Sequence, residues 1–169
     1  MARIIPPRVL ERVNEASRSA GSDVSPFWQS DSEGTPEEGM YQLALELDIE
    51  DANHLLEQLP PGYRMVYAIF QWETSRAGEG FKTGTDNSGP ELVQAAAKAY
   101  ADAGMPEEAM ALERMLAQYR QTPQDYGRIE AAYEAVDNPC REDWERIPRL
   151  VRHLCENADR YFYVEAALQ

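Results

Sequence analysis

The sequence predicts an all-α protein, a single compact domain of about seven to eight helices around a central helix at 61–75. Three observations carry this. The stretch PGYRMVYAIFQWETS is apolar nearly all round: Tyr63, Val66, Tyr67 and Phe70 form one helical stripe, and Met65, Ile69 and Trp72 form a second. A helix with two apolar stripes has neighbours on both sides, which makes it central to a core. Elsewhere apolar residues recur three and four apart, and no segment alternates with a period of two, so no sheet is expected beyond a short edge. Finally, Pro36, Pro90, Pro106 and Pro123 stand where those periodic segments begin, and proline is favoured in a helix's first turn.

In chain order, Pro7 to Ser19 is the first expected helix, with Val9, Val13 and Ala16 on one face. Residues 20–36 are rich in Ser, Gly, Pro and acids and read as a surface loop pinned by Phe27 and Trp28. Thr35, Pro36 and Glu38 form a capping arrangement for a helix reaching about Asp48, whose inner stripe is Met40, Leu43, Ala44 and Leu47. Leu55, Leu56 and Leu59 follow in a shorter turn, stopped by Pro60-Pro61.

After the central helix, AGEGFKTGTDNSG is expected to be a loop. Its glycines allow positive φ, Phe81 plugs the core, and Asp86 or Asn87 bonds nearby backbone N–H groups. It lacks the Gly-Lys-Ser/Thr ending of a phosphate loop. Ser88 or Gly89 then caps a helix with Leu92, Ala96, Ala99 and Ala103 inside, ended by Gly104. The next turns in Met105, Ala109, Leu112, Leu116 and Tyr119; the one after it turns in Tyr126, Ile129, Tyr133 and Val136. Trp144, Ile147, Val151, Leu154, Ala158 and Tyr161 keep a helical period to the end, with Pro148 either kinking that helix or starting a new one.

Several of these residues carry a family resemblance. Trp72-Glu73, Gly78-Glu79-Gly80-Phe81, Asn87-Ser88-Gly89 and a helix closing in Ala103-Gly104 resemble the bacterial domain-of-unknown-function family that contains DNA mimic protein 19. The likeness runs over about 59–135, and Tyr161-Phe162-Tyr163 looks like the family's aromatic end. Glu73, Glu79, Gly80, Phe81, Asn87 and Gly89 are the motif positions, read as structural. Gly78-Glu79-Gly80 replaces the usual Asn-Gly-Gly, and Lys82-Thr83-Gly84-Thr85 replaces the Gln and aromatics expected after Phe81. The resemblance implies an all-helical fold. It also implies a way of acting, in which carboxylates stand in for DNA phosphates before a DNA-binding protein.

Charge points the same way. The chain of 169 residues has 16 basic and 30 acidic residues, a net charge of −14. That argues against direct binding to nucleic acid or an anionic membrane, since both need a cationic footprint. Between Arg18 and Arg64 there is no Lys or Arg, while Asp23, Asp31, Glu33, Glu37, Glu38, Glu46, Asp48, Glu50, Asp51 and Glu57 carry −10 of the net charge. A concentrated anionic region focuses its field on a cationic partner. Glu46 and Glu50, and Glu130, Glu134 and Asp137, have helical spacings that set carboxylates about 5–6 Å apart, comparable to neighbouring phosphates.

Other chemistry finds little footing. Cys140 and Cys155 make no disulfide framework, and with no signal-like or membrane-length apolar run the expected location is the cytoplasm. His54, His153 and the cysteines lack zinc spacing, so neither metal nor cofactor is expected. No nucleophile motif stands in the chain. Arg141, Arg146, Arg149, Arg152 and Arg160 alternate with Glu142, Asp143, Glu145 and Glu156, which suggests local ion pairing. Trp28, Trp72 and Trp144 are expected in the core.

The expected function is therefore that of a non-enzymatic acidic binding protein. Its candidate contact residues are Asp31, Glu33, Glu37, Glu38, Glu46, Glu50, Asp51, Glu130, Glu134 and Asp137, facing a basic protein such as a DNA-binding regulator. Homo-oligomerisation is left open. One alternative is an immunity-type protein that neutralises a basic enzyme. A second is a small-ligand or enzymatic site at 73–89, centred on Glu73, Glu79, Asp86 and Asn87.

Overall fold

A computed structural model of the protein describes residues 3–6, 9, 36–47 and 56–165. The expected helix at 7–19, apart from Val9, and the expected loop at 20–36, apart from Pro36, lie outside them, as do Thr35 and Trp28. Among the described residues the architecture is all-α. The helices are α1 (Pro36–Leu47), α2 (Pro61–Arg76), α3 (Gly80–Ser88), α4 (Pro90–Asp102), α5 (Pro106–Gln121), α6 (Tyr126–Glu134), α7 (Asp143–Glu156) and α8 (Ala158–Tyr161). Two-residue strands, β1 (Arg3–Ile4) and β2 (Val164–Glu165), pair antiparallel with Arg3 opposite Glu165 and Ile4 opposite Val164. No helix among the described residues is long and apolar enough to cross a membrane.

The chain divides into two compact units, with the boundary inside α2 after Tyr67 and inside α7 before Val151. In the first unit the apolar stripe of α1, Met40, Leu43, Ala44 and Leu47, is buried as its spacing predicts. Buried with it are Leu56, Leu59, Tyr63, Met65, Val66, Val151, Leu154, Tyr161 and Phe162. The Tyr63 ring meets Phe162 edge-on at 5.2 Å, and its hydroxyl donates to the Phe162 carbonyl at 2.9 Å. Gly62 allows this closeness, since a Cβ there would lie 2.6 Å from that of Tyr161.

In the second unit α4 packs on α5, α5 on α6, and α3 on both α4 and α6. The alanines of α4 lie on its buried face, where small side chains let a neighbouring helix come near. That face holds Val93, Ala96, Ala97 and Tyr100, whereas Leu92, expected inside, is half-buried. The stripe 93/96/97/100 has the same helical spacing and hides the larger Tyr100.

The stretch expected as a loop is instead a turn followed by the helix α3. Gly78 and Gly80, at φ of 78° and 79°, reverse the chain after α2. Intrinsic propensity is poor for GFKTGTDNS, so tertiary contacts must hold it. Phe81 supplies them, stacking on Trp72 at 6.3 Å and meeting Tyr133 at 4.1 Å between centroids. Gly84, one of the glycines expected to allow positive φ, does not adopt it; it lets α3 press on α2, since a Cβ would lie 2.9 Å from the Arg76 Cα. Thr85 is buried, its hydroxyl turned back onto the Phe81 carbonyl at 2.7 Å.

Further aromatics depart from expectation. Tyr126 opens α6 just after the cap Asp125, so its ring is 59% exposed beneath the Lys82 ammonium. Tyr119 is half-buried and reaches α3, donating to Asp86 at 2.7 Å. Trp144 is 69% exposed. Helix α7 turns Arg146, Leu150 and Leu154 inward, and Trp144, two residues before Arg146, lies about 200° round the helix from it. Pro148 sits inside α7, where it brings no N–H to the helix's backbone ladder.

Candidate functional site

The expected contact carboxylates occupy several places. Asp31, Glu33, Glu50 and Asp51 lie outside the described residues, and of Glu46 only the backbone, in α1, is described. Glu37 and Glu38 open α1, the first half-buried and the second exposed. Glu130 and Glu134 are exposed on α6, and Asp137 is exposed just beyond that helix's end.

The motif residues divide between surface and core. Glu79 and Asn87 are exposed, joined by a bond from the Asn87 amide to the Glu79 carboxylate at 3.1 Å. Asp86 is exposed as well; Lys82 and Tyr119 both donate to it and hold its carboxyl below the usual range. Neither Asp86 nor Asn87 is bonded to a backbone N–H as expected; their partners are side chains. Glu73 is different: it lies within α2 and is only 8% exposed.

Glu73 is one end of a buried polar network belonging wholly to the second unit. Its carboxylate accepts from Arg146 twice, at 3.0 and 2.7 Å, from the Tyr100 hydroxyl at 2.5 Å and from Arg76 Nε at 2.9 Å. Arg146, fully buried, also donates to the carbonyls of Cys140 and Arg141. This overturns the expectation of pairing with sequence neighbours, because the arginine's carboxylate partner is 73 positions away. Such a bidentate contact suits a guanidinium, whose fork matches a carboxylate.

The other end is Glu108, also fully buried. Its Oε2 accepts from the Tyr133 hydroxyl at 2.7 Å and the Asn138 amide at 2.5 Å. Its Oε1 accepts no hydrogen bond and lies 3.8 Å from Arg146 Nε. Burial pushes the Glu108 carboxyl up to about 7, against a partly opposing pull from its Tyr133 and Asn138 bonds. Two carboxyl groups thus share one buried guanidinium, and a proton on Glu108 removes the need to bury its charge.

Sequence reasoning missed Glu108 and misread Arg146, yet both carried a signal. Glu108 stands three residues after Met105 and four before Leu112, and Arg146 four before Leu150. Each interrupts a row of apolar residues, which an unpaired charge does not do.

Beside this network an open cleft of about 310 Å³ is lined by Arg76, Phe81, Tyr133, Glu134, Arg141 and Glu142. Arg76 Cζ stands 5.5 Å over the Phe81 ring. Arg141 Nη2 donates to the carbonyls of Glu134 and Val136 at 3.2 and 3.0 Å, which satisfies acceptors at the end of α6. The site offers fixed positive donors, exposed carboxylates and an aromatic wall. Among the described residues no group of three or more His, Cys, Asp or Glu side chains is placed to hold a metal ion.

Comparison with known proteins agrees with the motif residues. A family model described as DMP19-like protein matches residues 57–167, which takes in α2 through β2 and every member of the buried network. No curated protein and no solved structure gives a significant match. With the match covering well over half of the sequence, this chain belongs to the DMP19-like protein family.

Proposed function

We propose that this protein is a non-enzymatic DNA mimic, whose surface carboxylates occupy the cationic site of a DNA-binding protein. The observation that carries the reading is the segregation of charge. Ten acids and no Lys or Arg fall between Arg18 and Arg64, while the rest of the chain is nearly balanced. Membership of the DMP19-like family supports it. So does the exposure of Glu57, Glu130, Glu134 and Asp137, whose side chains lie at the surface where a partner can meet them. In contrast, Glu73 and Glu108 are withdrawn from the surface and belong to the scaffold. Exposed like charges cost only a few tenths of a kcal/mol per helical pair, so such a surface is compatible with a stable fold.

The test is capture of a partner from native-cell lysate, followed by titration of that partner against salt and duplex DNA. The expected result is release by competing DNA and affinity falling at least tenfold between about 50 and 200 mM salt, because exposed charges are screened beyond about 10 Å at 0.1 M. Reversing Glu46, Glu50 and Asp51 together should weaken binding and flatten the salt dependence. Binding that ignores both salt and DNA would overturn the reading. A captured enzyme insensitive to DNA would point instead to an inhibitor of a basic enzyme.

A further inference from the structure

The cleft beside the buried network carries guanidinium groups and aromatic rings that an anionic docking surface does not use, and of its lining only Glu134 is also a candidate contact carboxylate. Its charged groups are held yet not saturated. Arg76 spends Nε on Glu73 and lays its guanidinium on Phe81, while Nη1 and Nη2 have no hydrogen-bond acceptor among the described residues. Arg141 spends only Nη2 on the two backbone carbonyls. Glu134 and Glu142 are exposed, and their carboxylates form no ion pair among the described residues. All four side chains line the same cleft with the rings of Phe81 and Tyr133.

Such anchoring has an energetic consequence. A guanidinium already fixed by a buried carboxylate and an aromatic face loses little freedom when it takes a ligand. Helix ends supply the rest of the frame: Arg76 closes α2, Phe81 opens α3, and Glu134 closes α6. The volume, about 310 Å³, is at the small end of the roughly 300–1,000 Å³ typical of small-ligand sites.

The sign of the lining selects the ligand. Two guanidinium groups and two carboxylates balance. A simple anion would meet two carboxylates, and a simple cation would meet two guanidinium groups. A molecule carrying both charges on groups attached to one carbon satisfies both pairs, and an apolar group beside them covers the rings. We propose that this cleft binds a free α-amino acid with an aromatic or long aliphatic side chain. Its carboxylate would sit on Arg76 and Arg141, its ammonium on Glu134 and Glu142, and its side chain against Phe81 and Tyr133.

The test is calorimetric titration of the full chain with L-phenylalanine, followed in parallel by amide NMR shifts at Gly80, Arg141 and Glu142. N-acetyl-phenylalanine lacks the ammonium, and phenylalanine amide lacks the carboxylate. Each should bind at least tenfold more weakly than the free amino acid, and glycine should be weaker still. Glu142→Gln changes an exposed side chain and should leave circular dichroism and melting temperature as in the parent; Arg141→Gln gives up two bonds to carbonyls at the end of α6, so it should keep the helical circular dichroism while melting slightly lower. Arg141→Gln should weaken phenylalanine at least tenfold while leaving the amide unchanged; Glu142→Gln should weaken phenylalanine while leaving the N-acetyl form unchanged. No heat and no shift with phenylalanine or leucine up to about 10 mM, a level that would reveal even millimolar affinity, would overturn the proposal. So would an acetylated or amidated form that binds as tightly as phenylalanine itself, or folded variants that bind phenylalanine like the parent. None of these results bears on salt-dependent partner binding, so the two readings fail separately.

Discussion

The two compact units bury polar groups in opposite ways. In the first, Tyr63 donates to a backbone carbonyl, that of Phe162, at 2.9 Å. In the second, Tyr100 and Tyr133 donate to the side-chain carboxyls of Glu73 and Glu108, which share Arg146. A tyrosine-to-carbonyl bond closes on a neutral pair and leaves no charge to balance. A carboxyl–guanidinium network must balance charge as well as hydrogen bonds, and each member depends on the others. The difference teaches that comparable burial hides unequal risk: loss of one partner in the first unit is local, and in the second it strands a charge.

That contrast can be broken by substitution. The largest effect is expected from Arg146→Met, which fills similar space but leaves Glu73 without its bidentate partner. Breaking a buried pair on one side costs about 3–5 kcal/mol, and chemical denaturation should read a loss of that order. A loss below about 1 kcal/mol would mean that the network holds little of the second unit's stability.

Acidity sharpens the same point. Folded Glu108 keeps its proton up to about pH 7, while the unfolded chain gives it up near 4.5. The folded state therefore binds more protons between those values. Glu108's stabilising contribution is complete below about 4.5 and is lost as pH rises through about 7. Glu108→Gln keeps the acceptor for Tyr133 and removes the titration. Stability measured from pH 5 to 8 should fall in the parent relative to the variant by roughly 3 kcal/mol, at 1.36 kcal/mol per pKa unit. Parallel profiles would show that Glu108 is ionised throughout.

In the first unit, Gly62→Ala places a Cβ 2.6 Å from that of Tyr161 and 2.7 Å from its carbonyl oxygen, neither of which is a flexible tip. Overpacking of this kind costs about 1–3 kcal/mol, read as a lower denaturation midpoint. The smallest effect is expected from Tyr63→Phe, which removes the hydroxyl that donates to Phe162 and should cost about 1 kcal/mol. If Tyr63→Phe proved as damaging as Arg146→Met, the contrast between the units would fail.

The charge distribution, the helical class and the family motif were legible in the amino acids. Proline positions marked helix starts at Pro36, Pro90 and Pro106, and the periodicity of 61–75 named a helix that spans Pro61–Arg76. At Pro123 the start was three residues early, since α6 opens at Tyr126 behind its Asp125 cap. The candidate ligand site was less legible. Phe81 stood out by motif, but Arg141 and Glu142 looked like members of a locally ion-paired charge run. Whether such residues line a cleft depends on which helix ends meet, and spacing along the chain carries no record of that.

What the sequence alone determined is whatever depends on residues a few positions apart: helical period, capping, the break that follows the central helix, and the total of the charge. The tertiary structure decided three further matters: that GFKTGTDNS is a helix, that Trp144 faces outward, and that Arg146 crosses to Glu73 rather than pairing with its neighbours. The physical reason is common to all three. Weak local preferences of a few tenths of a kcal/mol yield to burial of an aromatic ring or pairing of a desolvated charge, which are worth several times more and come from residues distant in the chain.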